Sequence, residues 1–191
     1  VVRTLDDSLA LRAELHPGTK VVVIGAGFIG LEVAATARAR GCEVVVLEGA
    51  DAPMMRGLGA EMGHAAAMVH GDNGVTLAFN VRVTGLAQGQ PGHVGGVNVQ
   101  DGPMIVADVV VVGIGVSPAT QWLDGTSLTL RDGVVCDETL NAGIEGVYAA
   151  GDVCRWYNNL YEKEMRVEHW TTASEQGAAA ASNLLAVWRG Q

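Results

Sequence analysis

The stretch from Lys20 to Leu47 limits what this chain can fold into more than any other. Lys20–Ile24 is a run of β-branched residues unbroken after its lysine, the pattern of a strand buried on both faces. Gly25-Ala26-Gly27-Phe28-Ile29-Gly30 follows at once and leads into an Ala-rich stretch that reads as a helix from Phe28 to Arg40. Gly41 then stands where a helix-ending glycine belongs, and Glu43–Leu47 repeats the buried-strand pattern. Strand, helix and strand at this spacing make a βαβ unit, which requires a parallel sheet. The expected class is therefore α/β, with a Rossmann-like domain at its centre.

Gly-x-Gly-x-x-Gly is weak evidence alone, but here it follows a strand and opens a helix, and Glu48 stands at the end of the next strand. Gly25 permits the tight turn, Gly27 lets a pyrophosphate approach the backbone, and Gly30 lets helix and strand pack closely. The amides of Phe28, Ile29 and Gly30 open the helix, whose N-terminus attracts phosphate. Glu48 can accept hydrogen bonds from a ribose diol. Gly49, Ala50 and Asp51 bring no positive charge to meet a 2′-phosphate, which favours NAD(H) over NADP(H). Glu32 has two readings: a carboxylate stabilised on the first helical turn by the dipole, or one facing the nicotinamide end of the dinucleotide.

Composition narrows the field. The 191 residues carry a formal charge of −9, and Lys20 and Lys163 are the only lysines. That argues against nucleic acid, whose phosphates need clustered cations. Cys42, Cys136 and Cys154 are scattered, as are the five histidines, so neither a CxxC pair nor a zinc-ligand spacing occurs and no metal site is expected. No apolar run is long enough for a bilayer and no signal-peptide pattern opens the sequence. A cytoplasmic protein with reduced thiols is the expectation.

Beyond the βαβ unit, a helix is expected around Gly59 to Val69 and a strand at Val75 to Phe79. Val81 to Val106 alternates with glycine interruptions, as in an antiparallel meander. Asp108 then leads into an apolar strand and a Gly113-Ile114-Gly115 turn. The stretches 132–137 and 146–152 read as two short strands, and Thr172 to Trp188 as an Ala-rich helix.

The ordered set "VVVIGAGFIGLEVAA", "VVVVGIGVSP", "GVYAAGDV" and "RVEHWTTASEQGAAAASNLL" closely resembles the FAD-dependent pyridine-nucleotide oxidoreductases, and among them the ferredoxin and rubredoxin reductases that serve bacterial oxygenases. The resemblance implies FAD and NAD(H) as cofactors. It places Gly151 and Asp152 on the ribityl chain of FAD, and Glu168, His169 and Trp170 beside the isoalloxazine. It also sets Gly113 and Gly115 where two domains and two cofactors meet, and Glu32 near the nicotinamide. Local alternatives stand beside these roles: Asp152 as a helix cap, Trp170 as a core aromatic, and His169 as a packed histidine.

The glycine turn lies ahead of the meander and of "GVYAAGD", the position of the NAD loop in that family. Residues 1–17 are then expected to link from an FAD domain, 18–116 to form the NAD(H) domain, and 117–191 to form the second half of the FAD domain, with the family's first glycine loop and last domain outside this sequence. The implied activity passes electrons from NADH through flavin to a ferredoxin- or rubredoxin-like acceptor. The alternatives are a non-catalytic NAD-binding fragment and a flavin-dependent disulfide reductase or NADH oxidase; an apoptosis-inducing-factor-like protein fits less well, because Trp170 and "ASEQG" follow "EH". An unpartnered half of the FAD domain should expose apolar surface from about Ser117 onward and associate with itself or lose order.

Overall fold

The computed structural model describes residues 1–190. It contains two compact units, Val1–Val116 and the residues from Ser117 onward.

The first unit is built on a parallel sheet. Strands β1 (Lys20–Ile24), β2 (Glu43–Leu47), β3 (Thr76–Ala78) and β7 (Val109–Val112) lie in the order β3-β2-β1-β7. The register pairs Val22 with Val45 on one side and with Val110 on the other. Alternation across the pleat gives the sheet two apolar faces. Val21, Val23, Val44 and Val46 pack with Leu31, Ala34 and Ala37 of helix α2 (Phe28–Ala39). Val22 and Leu47 face the other way and pack with Val97 and Ala107. Val97 belongs to the antiparallel meander β4 (Val83–Gln88), β5 (Val94–Val99) and β6 (Ile105–Val106), in the order expected from the alternation. Small residues on α2 let it sit close to the sheet. Buried Ala and Val side chains here gain apolar burial, and a polar group in their place would be cut off from water without a partner.

One detail differs from expectation. The helix expected at 59–69 is longer, α3 (Met55–Asp72), and is broken by non-helical Gly59 at φ 74°, ψ 175°. Residues 1–17 contain helix α1 (Leu5–Glu14), opened by a Thr4–Asp7 capping box, and they pack within the first unit: Leu15 lies in its core and Val2 and Leu11 lie against it.

The second unit has its own core of Val134, Cys136, Leu140, Ala142, Cys154 and Ala180. Strand β8 (Val134–Cys136) runs parallel to β9 (Cys154–Asn158), which forms a hairpin with β10 (Lys163–Met165). Helix α4 (Trp170–Trp188) turns Gln176 and Ala180 inward. The strand expected at 146–152 does not form. Tyr148 has a single bridge, to Asn141, and Gly151–Val153 is a turn of 3-10 helix. A strand exists through its ladder, and one bridge is not a ladder.

Candidate functional site

The glycine turn joins the carboxyl ends of β1 and β7 to the start of α2, the edge at which open α/β sheets take ligands. Its glycines answer to backbone contacts. A Cβ on Gly30 would stand 2.1 Å from the Gly25 carbonyl oxygen. One on Gly25, which has φ +99°, would stand 2.4 Å from the Gly113 carbonyl oxygen. The Gly113 amide in turn donates to the Ile24 carbonyl at 2.8 Å. Gly25, Gly30 and Gly113 are thus one packed knot of main chain, whereas Gly27 and Gly115 (φ +134°) have open space where a Cβ would be. Gly27 is the N-cap of α2, and no side chain caps that helix. The first-turn amides at Phe28, Ile29 and Gly30 therefore have no side-chain cap, and the space over Gly27 is open, an arrangement that suits a phosphate. Phe28 and Ile29 are themselves exposed.

Glu48 does more than the sequence suggests. Its Oε2 accepts the Ala26 amide at 2.7 Å and its Oε1 accepts the Ala50 amide at 2.9 Å. The carboxylate braces the glycine turn while keeping one lone pair on each oxygen for a diol. The Met54 amide closes the same loop on the Ala26 carbonyl at 3.0 Å, with Met54 in the left-handed region at φ 53°. Glu32 lies in the second turn of α2, whose first turn holds no acidic residue, and it is exposed. The dipole explanation for Glu32 therefore fails.

In the second unit, Gly151 has φ +76°, and a Cβ there would touch the Ala173 methyl at 3.2 Å. Its amide donates to Gln176 Oε1 at 2.8 Å. Asp152 turns its carboxylate outward and its carbonyl accepts from Arg166 Nη1 at 3.1 Å, so it caps no α-helix. Arg166 also bonds Asp132 through Nε (3.3 Å) and Nη2 (3.2 Å), and Glu168 through Nη1 at 2.6 Å. Burial works against its charge, but these two carboxylates hold the guanidinium firmly protonated. His169 is the N-cap of α4: its Nδ1 accepts the Thr171 amide at 3.2 Å, which assigns the other ring nitrogen the proton in the neutral form. Its ring stacks on Trp170 at 6.1 Å. Trp170 is 80% exposed and so is no core aromatic. Asp152, Glu168, His169 and Trp170 share one unit, tied by Arg166, which sequence reasoning passed over together with Gln176.

The donor sets suit the cofactors. Uncapped helix amides over an open Gly27 match a pyrophosphate, and a braced carboxylate matches a ribose diol. An outward carboxylate on a fixed turn matches polyol hydroxyls, and an exposed tryptophan offers a stacking face. Cys42, Cys136 and Cys154 are all buried. Burial raises the Cys42 thiol, and the neighbouring Cys136 together with burial pushes the Cys154 thiol far up, so both stay protonated. Among the described residues there is no group of three metal-ligating side chains and no helix long and apolar enough to cross a membrane.

Residues 1–177 match the family model described as pyridine nucleotide-disulphide oxidoreductase. The chain is 40% identical over 187 residues to the anthranilate 1,2-dioxygenase system ferredoxin–NAD(+) reductase component of Burkholderia cepacia, covering 96% of this chain and 45% of that protein. It is similar to the crystal structure of the ferredoxin reductase for the CYP199A2 system from Rhodopseudomonas palustris, with TM-score 0.90 and 37% identity over 95% of this chain and 45% of that one. It also matches a chain of the covalent putidaredoxin reductase–putidaredoxin complex, with TM-score 0.88 and 31% identity over 96% of this chain and 44% of that one. The chain thus spans less than half the length of these relatives.

Proposed function

The chain belongs to the pyridine nucleotide-disulphide oxidoreductase family, and from that premise we propose that it carries the NADH site and part of the FAD site of a reductase that delivers electrons to a ferredoxin-type iron–sulfur protein. Residues 18–116 are assigned to NAD(H) and those from 117 to FAD. The observation that carries this reading is the glycine turn braced by Glu48 at the carboxyl edge of the parallel sheet.

NADH gives up a hydride, which is two electrons and a proton, while an iron–sulfur acceptor takes electrons singly. FAD, when bound, supplies the conversion between the two. The residues of this chain bind and orient. The α2 amides hold the pyrophosphate of NADH, and Glu48 holds the adenosine ribose. Glu32 is the exposed carboxylate assigned to the nicotinamide end. Asp152 accepts from the ribityl hydroxyls of FAD, and Glu168, His169 and Trp170 bound the ring. None of these groups needs to move a proton for hydride transfer; their contribution is orientation. The relatives named as ferredoxin reductases, one solved joined to putidaredoxin, support an iron–sulfur partner. Cys42, Cys136 and Cys154 are all buried, so none of these three serves as a thiol attacking a disulfide.

The test is the visible spectrum of the purified chain after incubation with FAD and desalting, followed by NADH. A retained flavin spectrum that bleaches with NADH is the expected result for a working reductase. A colourless protein whose tryptophan fluorescence still titrates with NADH would leave an NAD-binding module. Failure to bind NADH would sink the reading altogether.

A further inference from the structure

Two largely buried polar side chains of the second unit, one just before α4 and one within it, grip the same dipeptide. Gln176, only 7% exposed, accepts the Gly151 amide through Oε1 at 2.8 Å. Arg166, whose side chain is 10% exposed, donates to the Asp152 carbonyl at 3.1 Å. One bond holds the dipeptide at its N–H end and the other at its carbonyl end. The Gln176 bond holds the peptide plane before Gly151 and the Arg166 bond the plane after Asp152, so the two bracket the dipeptide that carries the Asp152 side chain.

Neither residue is explained by packing. An apolar residue at 176 would leave the Gly151 amide without this acceptor. Its Nε2 is the one buried side-chain nitrogen or oxygen among the described residues left without a partner. A buried carboxamide with its Nε2 unpartnered costs stability, and the Oε1 bond to Gly151 is what offsets that cost. The surroundings of Arg166 are shaped in the same way. Asp132 and Gly133 both adopt positive φ, 46° and 121°. A Cβ on Gly133 would stand 2.6 Å from the Val153 carbonyl oxygen and 3.2 Å from the Arg166 Cδ. The turn that carries Asp132 therefore comes in against both the Gly151–Val153 segment and the arginine stem. Arg166 reads Asp132 with two nitrogens and spends Nη1 on Glu168 and the Asp152 carbonyl together, a fork that a lysine cannot reproduce.

We propose that Arg166 and Gln176 are positioning residues that clamp the Gly151–Asp152 turn and so preset the Asp152 carboxylate and the Glu168-His169-Trp170 segment for a flavin nucleotide. The proposal rests on the reading of Asp152 as a ligand of FAD. Arg166 couples the two motifs directly, because one guanidinium nitrogen bonds both Glu168 and the Asp152 carbonyl.

The test uses the intact chain with Gln176→Met, which keeps shape and removes the acceptor, Gln176→Glu, which keeps the acceptor, and Arg166→Lys, which keeps the charge and removes the fork. Amide hydrogen exchange at Gly151 and FAD affinity by flavin fluorescence are read side by side, with Asp152→Ala as the control for the ligand. Loss of one such bond should speed Gly151 exchange and weaken FAD by about tenfold each in Gln176→Met. Gln176→Glu should restore Gly151 protection. Arg166→Lys should weaken FAD similarly while Gly151 stays protected. If Asp152→Ala weakens FAD but the clamp variants do not, the clamp is refuted and the reading of Asp152 stands. If Asp152→Ala has no effect, or the unsubstituted chain takes up no FAD, the reading of Asp152 fails. Gly151 exchange then decides the clamp by itself: unchanged exchange in Gln176→Met overturns it, and raised exchange rescued by Gln176→Glu upholds it.

Discussion

Gly30 has the least room of any glycine in the turn proposed to bind NADH. Its missing Cβ would overlap the Gly25 carbonyl oxygen at 2.1 Å, and that oxygen belongs to main chain fixed by β1. No rotamer relieves such a clash, so Gly30→Ala should open the turn at a cost of about 3 kcal/mol or more and abolish NADH binding. Thermal unfolding and a fluorescence titration would check both; a variant that binds NADH normally would contradict the close-packed turn. Glu48 makes the complementary point with polarity. Glu48→Gln keeps one acceptor oxygen but turns a donor toward either Ala26 or Ala50, whose amides are donors themselves. The loss should be about 1–3 kcal/mol. On the proposed reading the ribose uses the carboxylate that braces the loop, so NADH affinity should fall by at least about tenfold. A stability loss with unchanged NADH affinity would show that Glu48 braces the loop and does nothing else.

Helix α1 begins at a capping box whose acid is Asp7. The backbone amides of Thr4 and Arg3, then the Thr4 hydroxyl, hold the Asp7 carboxyl below the usual carboxylate range. A carboxyl lowered in the folded state contributes its stability above its unfolded value, and that contribution disappears as pH falls through the lowered folded one. The stability difference between the unsubstituted chain and Asp7→Asn should therefore be constant near neutral pH and shrink as pH falls below about 4, the ordinary carboxylate value, through the lowered folded one. A difference that persists at the acid end would refute the assignment. The same element-by-element view explains what the sequence could and could not tell. The β1–α2–β2 unit was readable because its information is local: strand pattern, glycine spacing and a terminal Glu48 lie within thirty residues. Strand β9 was not, since its "CRWYN" mixes one buried cysteine with polar and aromatic residues and is held by pairing to β8 and β10. The stretch "GVYAA" looked like a strand by composition, but composition supplies no ladder partner, and Tyr148 finds only Asn141. Arg166 and Gln176 stayed hidden for a related reason: their bonds to Asp132 and Gly151 cross 34 and 25 residues, and no local spacing marks such a contact.

Two opposing surface terms govern how copies of this chain meet in solution. A formal charge of −9 repels one copy from another. Against it stand large apolar side chains left in water in the second unit: Trp122, Leu160 and Trp188 are each at least 80% exposed, and Leu184, Leu185 and Val187 extend the apolar end of α4. Exposed apolar area attracts at contact, whereas the charge repulsion acts over a Debye length, about 10 Å at 0.1 M salt and about 3 Å at 1 M. Raising salt shortens the repulsion and leaves the apolar attraction in place, so self-association should increase with ionic strength. Light scattering across protein and salt concentration would measure it, and Trp188→Glu together with Leu185→Glu should restore the single-chain mass at high salt by removing apolar area and adding charge. A mass that falls as salt rises would mean that ion pairs hold the copies together, and the exposed end of α4 would then not be the surface through which they associate.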